Sequence, residues 1–451
     1  MADAADRMRG QTLPRLATFA AVATVIAAAL AAALAPRLVP HTLAGRDAGR
    51  IAACVVFAAS YVALALGKIP FLAIDRAGVA LVGASLMVAA GALSLPDAYR
   101  AIDLDTITLL LGMMIVVANL RLSGFFALAT AWVMRRAHRP VMLLAAIVLV
   151  SGVFSAFLVN DAICLVLAPL VLDLALALGR RPAPYLLAVA IASNIGSAAT
   201  ITGNPQNIMI GSFSAIPYVD FAAALAPVSV IGLVLTVGWI ALLHRREFAR
   251  GARLAAEPSR VRVNRFLVAR ALVATLAMVA LFFGGQNPAK AAIIVGGLLL
   301  LTRRVRSARI YAEIDWSLLL MFAGLFIIVA GAQRALLTPD VSATAGRLHL
   351  DRVPLLSIVT AVLSNLVSNV PAVLVLKPFV ASLHDPRRAW LVVAMASTFA
   401  GNFTVLGSIA NLIVVQRAAA RGVRIGFWSY FAAGAPLTLA TIALGTAWLM
   451  R

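Results

Sequence analysis

The sequence predicts an all-α polytopic membrane protein of about 11 transmembrane helices plus two re-entrant helical hairpins, in two inverted repeats with broken helices at the midplane. Three observations predict it. The 451 residues are 63% hydrophobic and only 12% charged, where a soluble domain carries about 25% charge. Mean hydropathy is +1.00, and apolar runs of spanning length recur from end to end, among them 17–35, 51–66, 79–93, 107–120 and 141–159. Third, the chain repeats itself. IDLDTITLLLGMM (102–114) aligns on IDWSLLLMFAGLF (314–326), FLVNDAICLVLAPLV (157–171) on LVSNVPAVLVLKPFV (366–380), and TITGNPQNIMI (200–210) on TVLGSIANLIV (404–414), all without gaps and in the same order.

In chain order, residues 1–48 form an N-terminal helix and loop. The run Ala17–Ala35 follows Arg7, Arg9 and Arg15, and at about 19 residues it exceeds a signal-peptide core, so it is read as a retained helix. Residues 49–243 form the first inverted repeat, with spans from about 50, 77 and 104, a hairpin over 141–178, a broken helix over 183–214 and a span from about 218. Between them, Leu122 to His138 is amphipathic and basic, suited to the membrane interface. Residues 244–264 are a basic cytoplasmic linker. Residues 265–451 form the second repeat, with spans from about 265, 288 and 315, a hairpin over 353–383, a broken helix over 388–417 and a last span from about 425.

The net charge of +21 is topological rather than a nucleic-acid footprint. Arginines cluster between apolar runs: Arg135, Arg136 and Arg139; Arg180 and Arg181; Arg245, Arg246, Arg250 and Arg253; Arg303, Arg304, Arg306 and Arg309; Arg417, Arg421 and Arg424. With the N-terminus cytoplasmic, the densest clusters fall inside, as the positive-inside rule requires. The first hairpin then enters from the cytoplasm and the second from the periplasm. Cys54 and Cys164 have no motif partner, the five histidines form no metal constellation, and no HExxH, GxSxG or P-loop pattern is present. No metal, cofactor or enzymatic activity is expected.

The stretch SNIGSAATITGNPQNIMIG (193–211) puts polar residues inside an apolar segment. Gly203, Asn204 and Pro205 should end the helix begun near Pro184, and a half-helix can restart near Gln206 or Asn207. Carbonyls freed around Ala199–Gly203 can bind a cation, and the N-terminus of the second half-helix suits an anion. A matched break falls at 403–410. Non-helical chain at membrane depth survives only inside protein or beside water, so two broken helices meeting two hairpin tips make a substrate site. Asp161 lies at the first hairpin tip. An intramembrane carboxylate is a functional candidate by default, either carrying the coupling proton or capping the second hairpin helix. Lys377 stands about 12 Å of helix beyond Asn369. It either compensates charge at the site or snorkels to the periplasmic interface.

At these residues the chain resembles the ion transporter superfamily, which includes arsenite permeases, NhaD-type sodium/proton antiporters, citrate-type permeases and divalent-anion sodium symporters. The carrying motifs are VNDA (159–162), SNIGSAATITGNPQNI (193–208), SNVPA (368–372) and TFAGNFTVLGSIANLI (398–413), and the resemblance runs from about residue 50 to 445. It implies a homodimer of elevator-type secondary transporters in the bacterial inner membrane. The binding residues it implies are Asn160, Asp161, Ser193, Asn194, Thr200, Gly203, Asn204, Asn207, Ser368, Asn369, Thr398, Asn402, Thr404, Gly407 and Asn411. Dicarboxylate symporters carry Ser-Asn-Thr at both tips. Here the asparagines carry over, the serine only as Ser368, and the threonine in neither tip. The expected function is therefore proton-coupled movement of a small anion or oxyacid, arsenite-type, inorganic or carboxylate. Sodium/proton antiport and sodium-coupled dicarboxylate symport are the alternatives, so the coupling ion is H⁺ or Na⁺.

Overall fold

The computed structural model describes residues 43–66, 74–136, 138–248, 263–302, 304–336 and 349–451, and all regular secondary structure among them is helical. The expected helix at 17–35 and most of the basic linker lie outside the described residues. Seven described helices are long and apolar enough to cross a membrane, and seven shorter apolar helices accompany them.

In chain order the helices are α1 (Leu43–Leu66), α2 (Arg76–Ala89), α3 (Leu95–Ala101), α4 (Leu104–Ser123), α5 (Phe125–Arg136), α6 (Pro140–Phe157), α7 (Asn160–Ala177), α8 (Pro182–Ser197), α9 (Pro205–Ser214), α10 (Tyr218–Leu243), α11 (Arg245–Phe248), α12 (Arg265–Phe283), α13 (Pro288–Leu300), α14 (Ser307–Tyr311), α15 (Trp316–Leu336), α16 (Val353–Val367), α17 (Asn369–Ala381), α18 (Pro386–Ala400), α19 (Ile409–Ala419) and α20 (Phe427–Leu449). Their starts follow local chemistry. Proline occupies the first turn of α6, α8, α9, α13, α16 and α18, where its missing N–H has no intrahelical partner to lose. Asp75, Asn264, Asn287 and Asp385 cap α2, α12, α13 and α18 through their side chains. The amphipathic stretch after Arg121 is split by Gly124, whose φ of +86° turns the chain between α4 and α5. The first described helix starts at Leu43, and its apolar part, Gly49–Leu64, coincides with the span expected from about 50.

Chain contacts divide the described residues into two units. One runs up to Ile107 and adds Trp316–His349. Within it α2 and α15 approach closely: a Cβ at Gly324 would lie 2.7 Å from the Ala80 carbonyl, and one at Gly331 2.8 Å from Met87 Sδ. Arg334 closes an ion pair with Asp97 at 2.8 Å. Its guanidinium, the Ser94 hydroxyl and the neighbouring Arg100 hold the Asp97 carboxyl at about 2.

The second unit comprises Thr108–Asp315 and Leu350–Arg451. It holds both hairpins, α6–α7 and α16–α17, and both broken helices, α8–α9 and α18–α19. The repeats recur in detail: each hairpin's second arm contains a proline, Pro169 or Pro378, and the helix after each broken helix contains Pro227 or Pro436. The arms of the first hairpin are joined by Leu158, in extended conformation, and Val159, at φ −42° and ψ 123°. Those of the second are joined by Ser368 alone, at φ +79° and ψ 158°, a region that costs a non-glycine residue roughly 1–3 kcal/mol. α6 and α8 cross where Gly152 meets Gly196. A Cβ at Gly196 would fall on the Gly152 backbone, and one at Gly152 would meet the Leu233 side chain of α10 at 2.6 Å, so the glycine at 196 is what allows this approach.

Candidate functional site

Each break has the same construction. α8 ends at Ser197, a single 3₁₀ turn covers Ile201–Gly203, and Pro205 opens α9. α18 ends at Ala400, a 3₁₀ turn covers Val405–Gly407, and α19 opens at Ile409. Thr200 (φ −140°, ψ 164°) and Thr404 (φ −135°, ψ 166°) have the same extended backbone. Gly203 and Gly407 pass tightly over the preceding helix end: a Cβ at Gly203 would fall on the Ser197 carbonyl, and one at Gly407 would lie 2.8 Å from the Gly401 oxygen.

One asparagine fastens each break. Asn207 Nδ2 donates to Ser197 O (3.2 Å) and Thr200 O (3.0 Å). Asn411 Nδ2 donates to Gly401 O (2.7 Å) and Thr404 O (3.1 Å). Of the carbonyls around Ala199–Gly203 expected to be available to a cation, that of Thr200 is thus already engaged. Asn204 caps α9 by accepting from Asn207 N at 2.9 Å. Ser408, its counterpart, makes no side-chain cap.

The breaks also reach across to each other. Asn194 and Thr398 occupy matched places in the last turns of α8 and α18. Asn194 Nδ2 donates to Asn402 Oδ1 (2.8 Å) and Asn411 Oδ1 (3.0 Å), and Ser408 Oγ donates back to Asn194 Oδ1 (3.1 Å). Thr398 Oγ1 accepts from Asn204 Nδ2 and Gln206 Nε2, both at 3.1 Å, and lies 3.5 Å from Asn207 Oδ1. Ser197 Oγ ties the first break to the end of α8 within its own half, donating to Asn194 O and accepting from Asn204 Nδ2. All these residues are buried, so the bonds replace water that is not there.

The hairpin tips join the same cluster. Asn160 Nδ2 donates to Asn194 Oδ1 at 2.9 Å, whereas Asn160 Oδ1 is buried without a partner. Asn369 is oriented by its surroundings to donate to Gly407 O (3.2 Å) and Ser397 O (3.3 Å), with Ser364 Oγ at 2.6 Å. Thr200 Oγ1 donates to Ala156 O at the end of α6. The N-termini of α7, α9, α17 and α19, and the C-termini of α6, α8, α16 and α18, therefore meet here. Their partial charges of both signs replace ionised side chains.

Twelve of the fifteen expected binding residues lie in or against this cluster. Ser193 Oγ is engaged by Ala190 O (2.8 Å) and Cys164 Sγ (2.9 Å). Asp161 is half-buried in the first turn of α7, beside Asn160. Ser368 forms the strained tip. Lys377 is set elsewhere on α17, its Nζ 3.7 Å above the Phe213 ring. Gln206, Ser408, Ser197 and Ser364 were not among the expected residues. The internal alignment of Ser408 with Asn204 was the signal that could have found one of them.

Two hairpins and two broken helices, tied into one buried polar cluster in an all-helical, apolar chain, define a polytopic membrane transporter. The profile of the family described as "Citrate transporter" matches residues 61–400. The chain belongs to that family. An uncharacterized transporter of Mycobacterium tuberculosis (strain CDC 1551 / Oshkosh) is 30% identical over 423 residues, covering 88% of this chain and 98% of the relative. The silicon efflux transporter of Oryza sativa subsp. japonica is 29% identical over 463 residues, covering 87% and 96%. The crystal structure of the YdaH transporter of Alcanivorax borkumensis, described as having an unusual topology, shares the fold at a TM-score of 0.52 with 16% identity, covering 88% of this chain and 95% of that one.

Proposed function

We propose that the chain is a secondary active transporter that moves a small oxyacid or anion across the inner membrane, coupled to protons, by elevator-type alternating access. The observation that carries this reading is the chemistry of the cluster. The side chains its hydrogen bonds join are amides and hydroxyls, and most of their N–H groups are committed to protein oxygens. Asn160 Oδ1 is the acceptor left over. Such a surface suits a solute that brings its own hydroxyl donors better than a polycarboxylate needing several cations. The rice relative, a silicon efflux transporter, supports an oxyacid. Asp161 carries the coupling proton in this scheme, one residue from Asn160 at the tip. The N-terminus faces the cytoplasm, and two copies assemble as a homodimer.

The test uses proteoliposomes loaded with a pH-sensitive dye, with arsenite, silicic acid, citrate, sulfate, succinate or Na⁺ added outside. A lumenal pH change driven by arsenite or silicic acid, lost in Asp161→Asn, is expected. Alkalinisation by Na⁺ alone would replace the scheme with sodium/proton antiport. Uptake of any solute without a pH change would remove proton coupling.

A further inference from the structure

The two hairpin tips are fastened differently, although their asparagines match. Asn369 is bound within its own half, to Ser397 O, Gly407 O and Ser364 Oγ. Asn160 instead makes its hydrogen bond to Asn194, whose amide is saturated: it accepts from Asn160 and Ser408 and donates to Asn402 and Asn411. Asn411 in turn holds the second break through Gly401 O and Thr404 O. A continuous line of side-chain bonds therefore runs from the first hairpin tip to the break of the opposite half. The matched residue, Thr398, reaches the first break but makes no side-chain bond to the Asn369 amide. A hydroxyl has too few groups to serve both.

We infer that Asn194 is a positioning residue that makes the geometry of the second break depend on the first hairpin tip, with no equivalent path from the second tip to the first break. Asn160 is the natural entry to this line. Its Oδ1 is unpartnered although the residue is 4% exposed, and a buried acceptor left unmade costs roughly 1–3 kcal/mol. A donor arriving at the tip pairs that oxygen and turns the amide that holds Asn194. Asn194 then redistributes its bonds among Asn402, Ser408 and Asn411. The path is a contiguous hydrogen-bond network, so its coupling is open to direct measurement.

Hydrogen exchange followed by mass spectrometry on the full-length protein in detergent tests this. Asn160→Ser and Asn194→Thr, which keep polarity and small size, should each speed exchange of the amides at 403–408 by about tenfold, leaving 201–204 within about twofold of wild type. Asn369→Ser should leave 201–204 unchanged. The double variant Asn160→Ser/Asn194→Thr should exchange no faster at 403–408 than Asn194→Thr alone. If Asn160→Ser leaves 403–408 within about twofold of wild type, or if the double variant multiplies the single effects, the coupling is absent. The inference rests on the proposed transport site only for its consequence. Exchange rates report geometry, so a failed transport assay would leave it standing, and the reverse.

Discussion

Replacing Asn207 by alanine removes two hydrogen bonds at once, those to Ser197 O and Thr200 O. Both carbonyls lie in buried residues, as does Asn207 itself, but Thr200 O keeps a second partner, the Gly203 N–H at 3.4 Å, so the loss falls on the Ser197 carbonyl. A buried polar group stripped of its partner costs roughly 1–3 kcal/mol, so Asn207→Ala should destabilise the folded protein by about 1–3 kcal/mol. At about 2.1 cal/mol/K per residue, a chain of this length loses about 1 kcal/mol per kelvin at its midpoint. The thermal midpoint in detergent should therefore fall by about 1–3 °C. Asn411→Ala removes the equivalent pair, to Gly401 O and Thr404 O, together with the bond that Asn411 Oδ1 accepts from Asn194, and should cost at least as much. Asn160→Ala, which deletes one bond and an unpartnered oxygen together, should cost much less. If Asn207→Ala and Asn411→Ala stay within about 0.5 kcal/mol of wild type, the size expected of an ordinary surface change, the breaks are not held by these amides.

Gly203→Ala places its methyl on the Ser197 backbone and should cost about 1–3 kcal/mol by overpacking. Gly238→Ala, with nothing within 4 Å of the new carbon, should be neutral or stabilising, both read as thermal midpoints. Lys377→Met removes the cation from the Phe213 ring, 3.7 Å away, at about 0.5–2 kcal/mol. In that background Phe213→Leu should cost less than it does alone. His244, just past the end of α10, has its pKa lowered from 6.5, chiefly by burial and also by Arg181, against the opposing pull of Glu247. The unfolded chain then binds the proton more readily than the folded one, so stability is full above about pH 6.5 and falls on acidification below it. His244→Gln should flatten the midpoint-against-pH curve below about pH 6.5.

The breaks were legible because glycine and proline act on the backbone locally. Gly203-Asn204-Pro205 was expected to stop one helix and let the next begin; α8 ends earlier, at Ser197, and the structure places the restart at Pro205. The hairpins were legible because their polar tips interrupt apolar runs of spanning length. The alignment of Thr200, Gly203 and Asn207 with Thr404, Gly407 and Asn411 anticipated the matched breaks. What an amide does with its hydrogens was not legible. Asn194, Asn207 and Asn411 read alike as polar residues in an apolar segment. Only packing makes the first a bridge between halves and the other two fasteners of their own breaks. Lys377 was equally ambiguous, because Phe213, the ring beneath it, is far away in sequence. The apolar part of α1, Gly49–Leu64, falls where a span from about 50 was expected, while its first turn, from Leu43, carries no apolar period to read.

The glycine contact between α6 and α8 has a mechanical consequence. With Gly152 and Gly196 in backbone contact, no side chain lies between these helices at their crossing to bend, rotate or slide as a bearing. The long arm of the first hairpin and the first half of the broken helix should travel as one stiff strut. Flexion must be taken up where the chain has slack, as at Gly179, whose φ of +63° turns the chain between α7 and α8. That turn is therefore a better place to install a cross-link meant to arrest transport than the buried cluster itself.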